Sequence, residues 1–213
     1  WLIYTWLIRL ITLGTLIVTW ETHFDFLVLN TFLAYLPIEC AFQVHRMKNG
    51  YVQLLFGFLW LLFFPNIPYL VTDIVHADLL GLYNNLTGMS LETIRGWGLI
   101  LILFLVIFAY IYWGFMEFFA LMALAKEKFQ LSKWVIIAAV PVICWLSSMA
   151  MYAGRFAPRL HSVHFFTNPL YVLEVIFAHW TMKKLEFICL FFLLHLGIIG
   201  ILWIANGRQK EAN

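Results

Sequence analysis

The chain has 213 residues, of which 64% are hydrophobic and 19% aromatic, with only 11% charged. A soluble domain carries about 25% charged residues, so the lipid bilayer is the solvent here and a water-soluble globular domain is excluded. The net charge is +2, with no basic run and no interleaving of basic and aromatic residues, which excludes nucleic acid as a partner.

A helical span needs about 20 mostly apolar residues. Six segments qualify: 2 to 19, 26 to 44, 51 to 70, 97 to 125, 134 to 152 and 185 to 205. With no internal repeat or linker, they predict an all-α polytopic membrane bundle of six transmembrane helices forming a single domain, 1–213. Arg9, Glu39 and Glu117 interrupt the first, second and fourth segments at similar depth. Charges inside spans pair or line a path, so Arg9 is expected to bridge one or both glutamates as a structural intramembrane ion pair. A proton or cation route is the functional alternative, kept open by Pro37 two residues before Glu39.

The third segment ends in FFPNIPYLVTDIVH. A proline within a helix removes a donor and frees the carbonyl four residues back, here those of Leu61 and Phe64. Lipid satisfies neither, so the sequence predicts a helix break at Pro65–Pro68 shielded by protein or by a polar pocket. Asp73 and His76, three apart, share a helical face. A second polar connector reads GRFAPRLHSVHFFTNP and carries Arg155, Arg159, His161, His164 and Asn168. Downstream, Asn168-Pro169 and Glu174 interrupt the apolar stretch 165 to 181. Leu170, Leu173, Ile176 and Phe177 recur there at helical spacing, which predicts an interfacial helix at the outer surface rather than a seventh span.

Orientation follows from lysine and arginine. Arg46, Lys48, Lys126, Lys128, Lys133, Arg208 and Lys210 fall on one side, against Arg95, Arg155, Arg159, Lys183 and Lys184 on the other. Seven against five puts the 126 to 133 loop and the C-terminal tail in the cytoplasm, and both long connectors at the outer face. Asp73 and His76 are then the candidate catalytic pair, as general base and orienting partner. Asn66, Arg155, Arg159, His161 and Asn168 are candidate substrate-binding residues, because guanidinium groups suit phosphate or carboxylate. The bland alternative is that Asp73 simply pairs with Arg155 and the remaining groups anchor the span ends.

No metal is assigned. His161 and His164 with His76 and Asp73 make a tolerable donor set for zinc, yet both zinc-protease motifs are absent. No cofactor follows either, since the chain has neither a glycine-rich phosphate loop nor GxSxG. Cys40, Cys144 and Cys189 lie in apolar stretches and read as small hydrophobes. His195, alone in the last span, reads as a hydrogen-bonded packing residue.

The two quoted segments resemble a family of bacterial membrane proteins catalogued as domain of unknown function 1361. The family's first hallmark is similar to Leu-Pro-Asn-x-Pro-Tyr-Leu-x-Thr-Asp-Leu-x-His, which Pro65, Asn66, Pro68, Tyr69, Leu70, Thr72, Asp73 and His76 match. Its second is similar to Gly-Arg-Phe-x-Arg-x-Asn-Ser-Trp-Asp followed by Thr-Asn-Pro. Gly154, Arg155, Phe156, Arg159, Ser162, Thr167, Asn168 and Pro169 match it, while His161, Val163 and His164 stand where Asn, Trp and Asp would be. The resemblance implies a polytopic membrane protein and assigns no activity.

The expectation is therefore a multi-pass protein of a prokaryotic cytoplasmic membrane. Its polar pocket at the extracytoplasmic face would bind or process a lipid head group or lipid-linked anionic substrate. A membrane subunit or scaffold without catalysis, and an ion or solute transporter, are the alternatives. Membrane lipids are the expected partners, with a partner membrane protein or a second copy as further candidates.

Overall fold

The computed structural model describes residues 2–20, 25–80, 94–156, 158–160 and 163–211. Nine α-helices account for nearly all of these residues: α1 Leu2–Trp20, α2 Asp25–Arg46, α3 Gly50–Phe63, α4 Asn66–Tyr69, α5 Ile94–Lys128, α6 Lys133–Arg155, α7 His164–Thr167, α8 Pro169–Phe177 and α9 Met182–Glu211. A 3₁₀ segment, Leu70–Leu80, follows α4. Six stretches are long and apolar enough to cross a membrane: Leu2–Trp20, Phe26–Arg46, Gly50–His76, Gly96–Lys128, Lys133–Arg155 and Met182–Asn206. Helices are what such sequences must form, because hydrocarbon offers backbone amides and carbonyls no other partner. The stretch 165 to 181 does not span. Its α8 has nine residues and rises about 13 Å, against about 30 Å of hydrocarbon.

The described residues fall into two compact units, Trp1–Ala120 and Leu121–Asn213, with the division inside α5. In the first unit, α1 packs through a seam in which Thr5, Ile8, Thr12 and Thr19 are buried while Leu2, Ile3, Trp6 and Leu7 are exposed. Small residues let helices approach closely in a membrane, and Thr12 accepts a hydrogen bond from the Tyr110 hydroxyl of α5 at 2.6 Å. α2 and α3 form a hairpin closed at both helix ends. Asn49 Oδ1 accepts from Tyr51 N at the start of α3, and Gln53 Nε2 donates to the Val44 and Met47 carbonyls that end α2. These side chains satisfy backbone groups that helix termini leave orphaned.

The proline segment was expected to break the third span, and it does something milder. The backbone stays right-handed through Phe64 (φ −50°, ψ −39°) and Pro65 (φ −56°, ψ −23°), so the chain changes helix type without opening. The amide of Ile67 reaches the Phe64 carbonyl in a three-residue step at 3.0 Å, and Asn66 Nδ2 takes the Phe63 carbonyl at 2.9 Å. Thr72 Oγ1 donates to the Tyr69 carbonyl at 2.8 Å. The tighter 3₁₀ step thus supplies the partner that Pro68 withholds from Phe64. Ile67 is buried against Gly114 of α5, where an added methyl would lie 2.8 and 2.9 Å from Ile67 Cγ2 and Cγ1. The absence of a side chain at Gly114 is what admits the proline segment to α5. Trp60, Phe64, Phe115 and Phe118 continue that contact as an aromatic cluster.

In the second unit α6 and α9 run antiparallel, since Ser147 meets His195 while Tyr152 meets Phe187. α8 lies on α6, burying Val172 and Ile176 among Met149, Ala153, Leu160 and Ile188. Leu170, Leu173 and Phe177 remain exposed. The apolar stripe read from the sequence therefore splits. Ile176 pairs with Val172, four residues back, on the inward face, and the other three face outward.

Candidate functional site

Three polar groupings emerge, two in the first unit and one in the second. The first lies where the 3₁₀ segment meets α2. A 3₁₀ helix has three residues per turn, so Asp73 and His76 stand one directly above the other. Both meet α2 at residues four apart. Asn30 Nδ2 lies 2.9 Å from each oxygen of the Asp73 carboxylate, and the His76 ring lies 4.1 Å from that of Phe26, tilted by 35°. Asp73 is 0% exposed. Asn66, the first residue of α4, spends its amide on the Phe63 carbonyl that ends α3. These are the contacts of a packed seam between helices.

The second grouping is deeper in the spans. Arg9 donates through Nε to Glu39 Oε2 at 3.0 Å and through Nη2 to Oε1 at 2.7 Å, the bidentate fork that suits guanidinium to carboxylate. The Tyr35 hydroxyl and Gln43 Nε2 complete the shell of Glu39 at 2.5 and 2.6 Å. Tyr35, Glu39 and Gln43 recur every four residues and so share one face of α2. Glu117 joins a different group. It lies 3.9 Å from His45 Nε2, with the Tyr4 hydroxyl nearby. Among the described residues Arg9 makes its ion pair with Glu39 and none with Glu117.

The third grouping caps helix ends in the second unit. Arg159 Nε donates to the Gly154 carbonyl at the end of α6, at 2.9 Å. Asn168 is the N-cap of α8, its Oδ1 accepting from Tyr171 N at 3.2 Å, and Pro169 occupies the first helical position. Lys184 is buried. Its ammonium donates to the Ala178 and Val175 carbonyls at 2.7 and 3.1 Å, at the end of α8. Trp180 Nε1 takes the Phe177 carbonyl beside them. Helix C-termini carry partial negative charge, so the backbone stabilises this ammonium. Lys183 lies over the Phe156 ring at 4.1 Å. Arg155, in the last turn of α6, has no carboxylate within ion-pair distance among the described residues. His161 lies outside the described residues.

Elsewhere, His195 is buried and bridges α6 and α9. Its Nδ1 lies 2.6 Å from the Phe191 carbonyl and its Nε2 lies 2.9 Å from Ser147 Oγ. A carbonyl can only accept, so Nδ1 carries the proton and the Ser147 hydroxyl donates to Nε2. Among the described residues no three His, Cys, Asp or Glu side chains gather as a metal site. Cys40 and Cys144 are buried thiols and Cys189 is exposed.

Sequence reasoning missed Asn30, Tyr4, Tyr35, Gln43 and His45. The signal for Tyr35 and Gln43 was present, as polar side chains four residues either side of a span glutamate. Asn30 was a lone amide in LVLNTFLAYL, and nothing in its spacing points to Asp73.

A family described as "Protein of unknown function (DUF1361)" matches the chain over residues 29–198. No curated protein and no solved structure matches it.

Proposed function

The chain belongs to the DUF1361 family, whose description assigns no chemistry, and we propose that its second unit binds an anionic lipid head group, or the anionic group of a lipid-linked substrate. The observation that carries this reading is Arg155. Its guanidinium stands at the end of a span without a carboxylate among the described residues, next to Arg159 and the Lys183–Phe156 pair. Guanidinium presents a rigid fork of donors that fits phosphate and carboxylate. Aromatic and basic side chains at span ends suit the head-group layer. The exposed Leu170, Leu173 and Phe177 of α8 would lie among acyl chains. In this reading the site faces the extracytoplasmic side of a prokaryotic cytoplasmic membrane, following the basic-residue bias. Asp73 and His76 hold the first unit together at α2 and are not assigned a chemical step.

The test is native mass spectrometry of protein reconstituted in nanodiscs of mixed phosphatidylglycerol and phosphatidylcholine. Wild-type protein should retain the anionic lipid selectively, and Arg155→Gln should lose that selectivity while keeping its helix content. Equal retention of the two lipids, or an unchanged Arg155→Gln, overturns the reading. It would favour a second one, a membrane subunit whose polar residues serve only packing, which is supported by the commitment of Asn66, Asp73 and Asn168 to helix contacts.

A further inference from the structure

Glu117 and His45 do not fit a purely structural account. The Glu117 side chain is 8% exposed within a span. A carboxylate there needs neutralising, because hydrocarbon solvates no charge. The Tyr4 phenol beside it carries no charge. The nearby guanidinium of Arg9 is spent, two nitrogens on two oxygens, on Glu39. Among the described residues no lysine or arginine nitrogen lies within ion-pair distance of Glu117. What faces it is His45, whose Nε2 is buried, has no hydrogen-bond partner and lies 3.9 Å from Glu117 Oε2. The partnerless Nε2 faces the carboxylate, and the gap exceeds a hydrogen bond by about 1 Å.

We infer that His45 and Glu117 form a binding site for one exchangeable proton, held between α2 and α5. Without that proton the pair carries one negative charge, whether a lone pair faces the carboxylate or an N–H donates to it, in a medium that does not compensate the charge. With it, the pair holds either a carboxylic acid donating to Nε2 or an imidazolium donating to the carboxylate. Both are neutral in sum, and a small side-chain rotation closes the gap. The proton comes from water. The His45 side chain is 23% exposed and sits one residue before the end of α2, so it is the point of entry and Glu117 the buried member.

The other groups in the surroundings do not replace this proton. From α1 come Tyr4 and Arg9. From α2 come Tyr35, Glu39 and Cys40, with the Arg9–Glu39 pair summing to zero charge. From α5 comes Tyr112, which feels Tyr4. α3, packed on α2, carries no charged side chain, and its one tyrosine, Tyr51, is exposed.

The experiment is pH-difference infrared spectroscopy on the purified full chain in lipid, for wild type, His45→Gln, Glu117→Gln and the double variant. Wild type should show a single-proton transition carrying a carboxylic-acid or an imidazolium signature. The double variant should lack it, and each single variant should move the midpoint of the remaining group by about tenfold or more in proton concentration, since the protons belong to the pair. A double variant that titrates like wild type overturns the proposal, and so do single variants that leave one another's midpoint unmoved. Glu117→Gln mimics the protonated acid and should keep its fold. If it does not, His45→Gln near the end of α2 decides alone, through the carboxyl signal of Glu117. An unchanged signal there is equally fatal.

Discussion

Glu39 and Lys184 are both ionisable side chains within spans, yet the first unit surrounds its acid with side chains and the second surrounds its base with backbone. Glu39 collects Arg9, Tyr35 and Gln43, and buried Asp73 collects Asn30. Lys184 takes two carbonyls at the end of α8 and lies 4.9 and 5.9 Å from the Trp180 and Tyr152 rings. The difference follows from what a helix offers. Along its side every amide and carbonyl is already used, so an acid in mid-span must recruit side-chain donors from its own or a neighbouring helix. At a C-terminus the last carbonyls are unpaired and carry partial negative charge, so a cation needs only to reach them. Glu39 and Asp73 therefore tie helices together through side chains, while Lys184 fastens a helix end.

The comparison breaks most visibly at Arg9. Arg9→Met leaves Glu39 with neutral donors only and should cost about 3 kcal/mol, as for a partly buried charge deprived of its partner. Unfolding followed in detergent checks it, and Arg9→Met combined with Glu39→Gln should recover most of the loss. A double variant no better than the single would show that the pair is solvated and dispensable.

Lys184→Met should cost about 2 kcal/mol, the scale of charge-assisted hydrogen bonds left unmade. Its mark is local. Hydrogen exchange should speed up in α8 while the amides of α1 and α2 keep their protection. Uniform acceleration would mean that the lysine supports more than one helix end.

Asn168 sharpens the comparison at the smallest scale. As an N-cap it should lose about 1 kcal/mol on substitution by Ala and little on substitution by Ser. If Asn168→Ser instead abolished selective retention of anionic lipid at unchanged stability, the residue would belong to the binding surface rather than to the helix.

The number of spans, the all-helical class and the short helix after Asn168-Pro169 were legible in the sequence. Each depends on a local run, on a cap beside a proline, or on a length set against the thickness of hydrocarbon. So was the need of Arg9 for an acid, because a charge in lipid implies a partner. Which acid it takes was not legible. The choice of Glu39 over Glu117, the pairing of Asp73 with Asn30 and the confrontation of His45 with Glu117 depend on how helices are rotated and aligned against each other. The proline segment shows the same division. Pro68 announced a missing donor for the Phe64 carbonyl, but only the fold could answer with a 3₁₀ step and the space above Gly114. A membrane fixes depth for each segment separately, whereas the partners of a polar atom are set by packing between segments, which sequence separation does not measure.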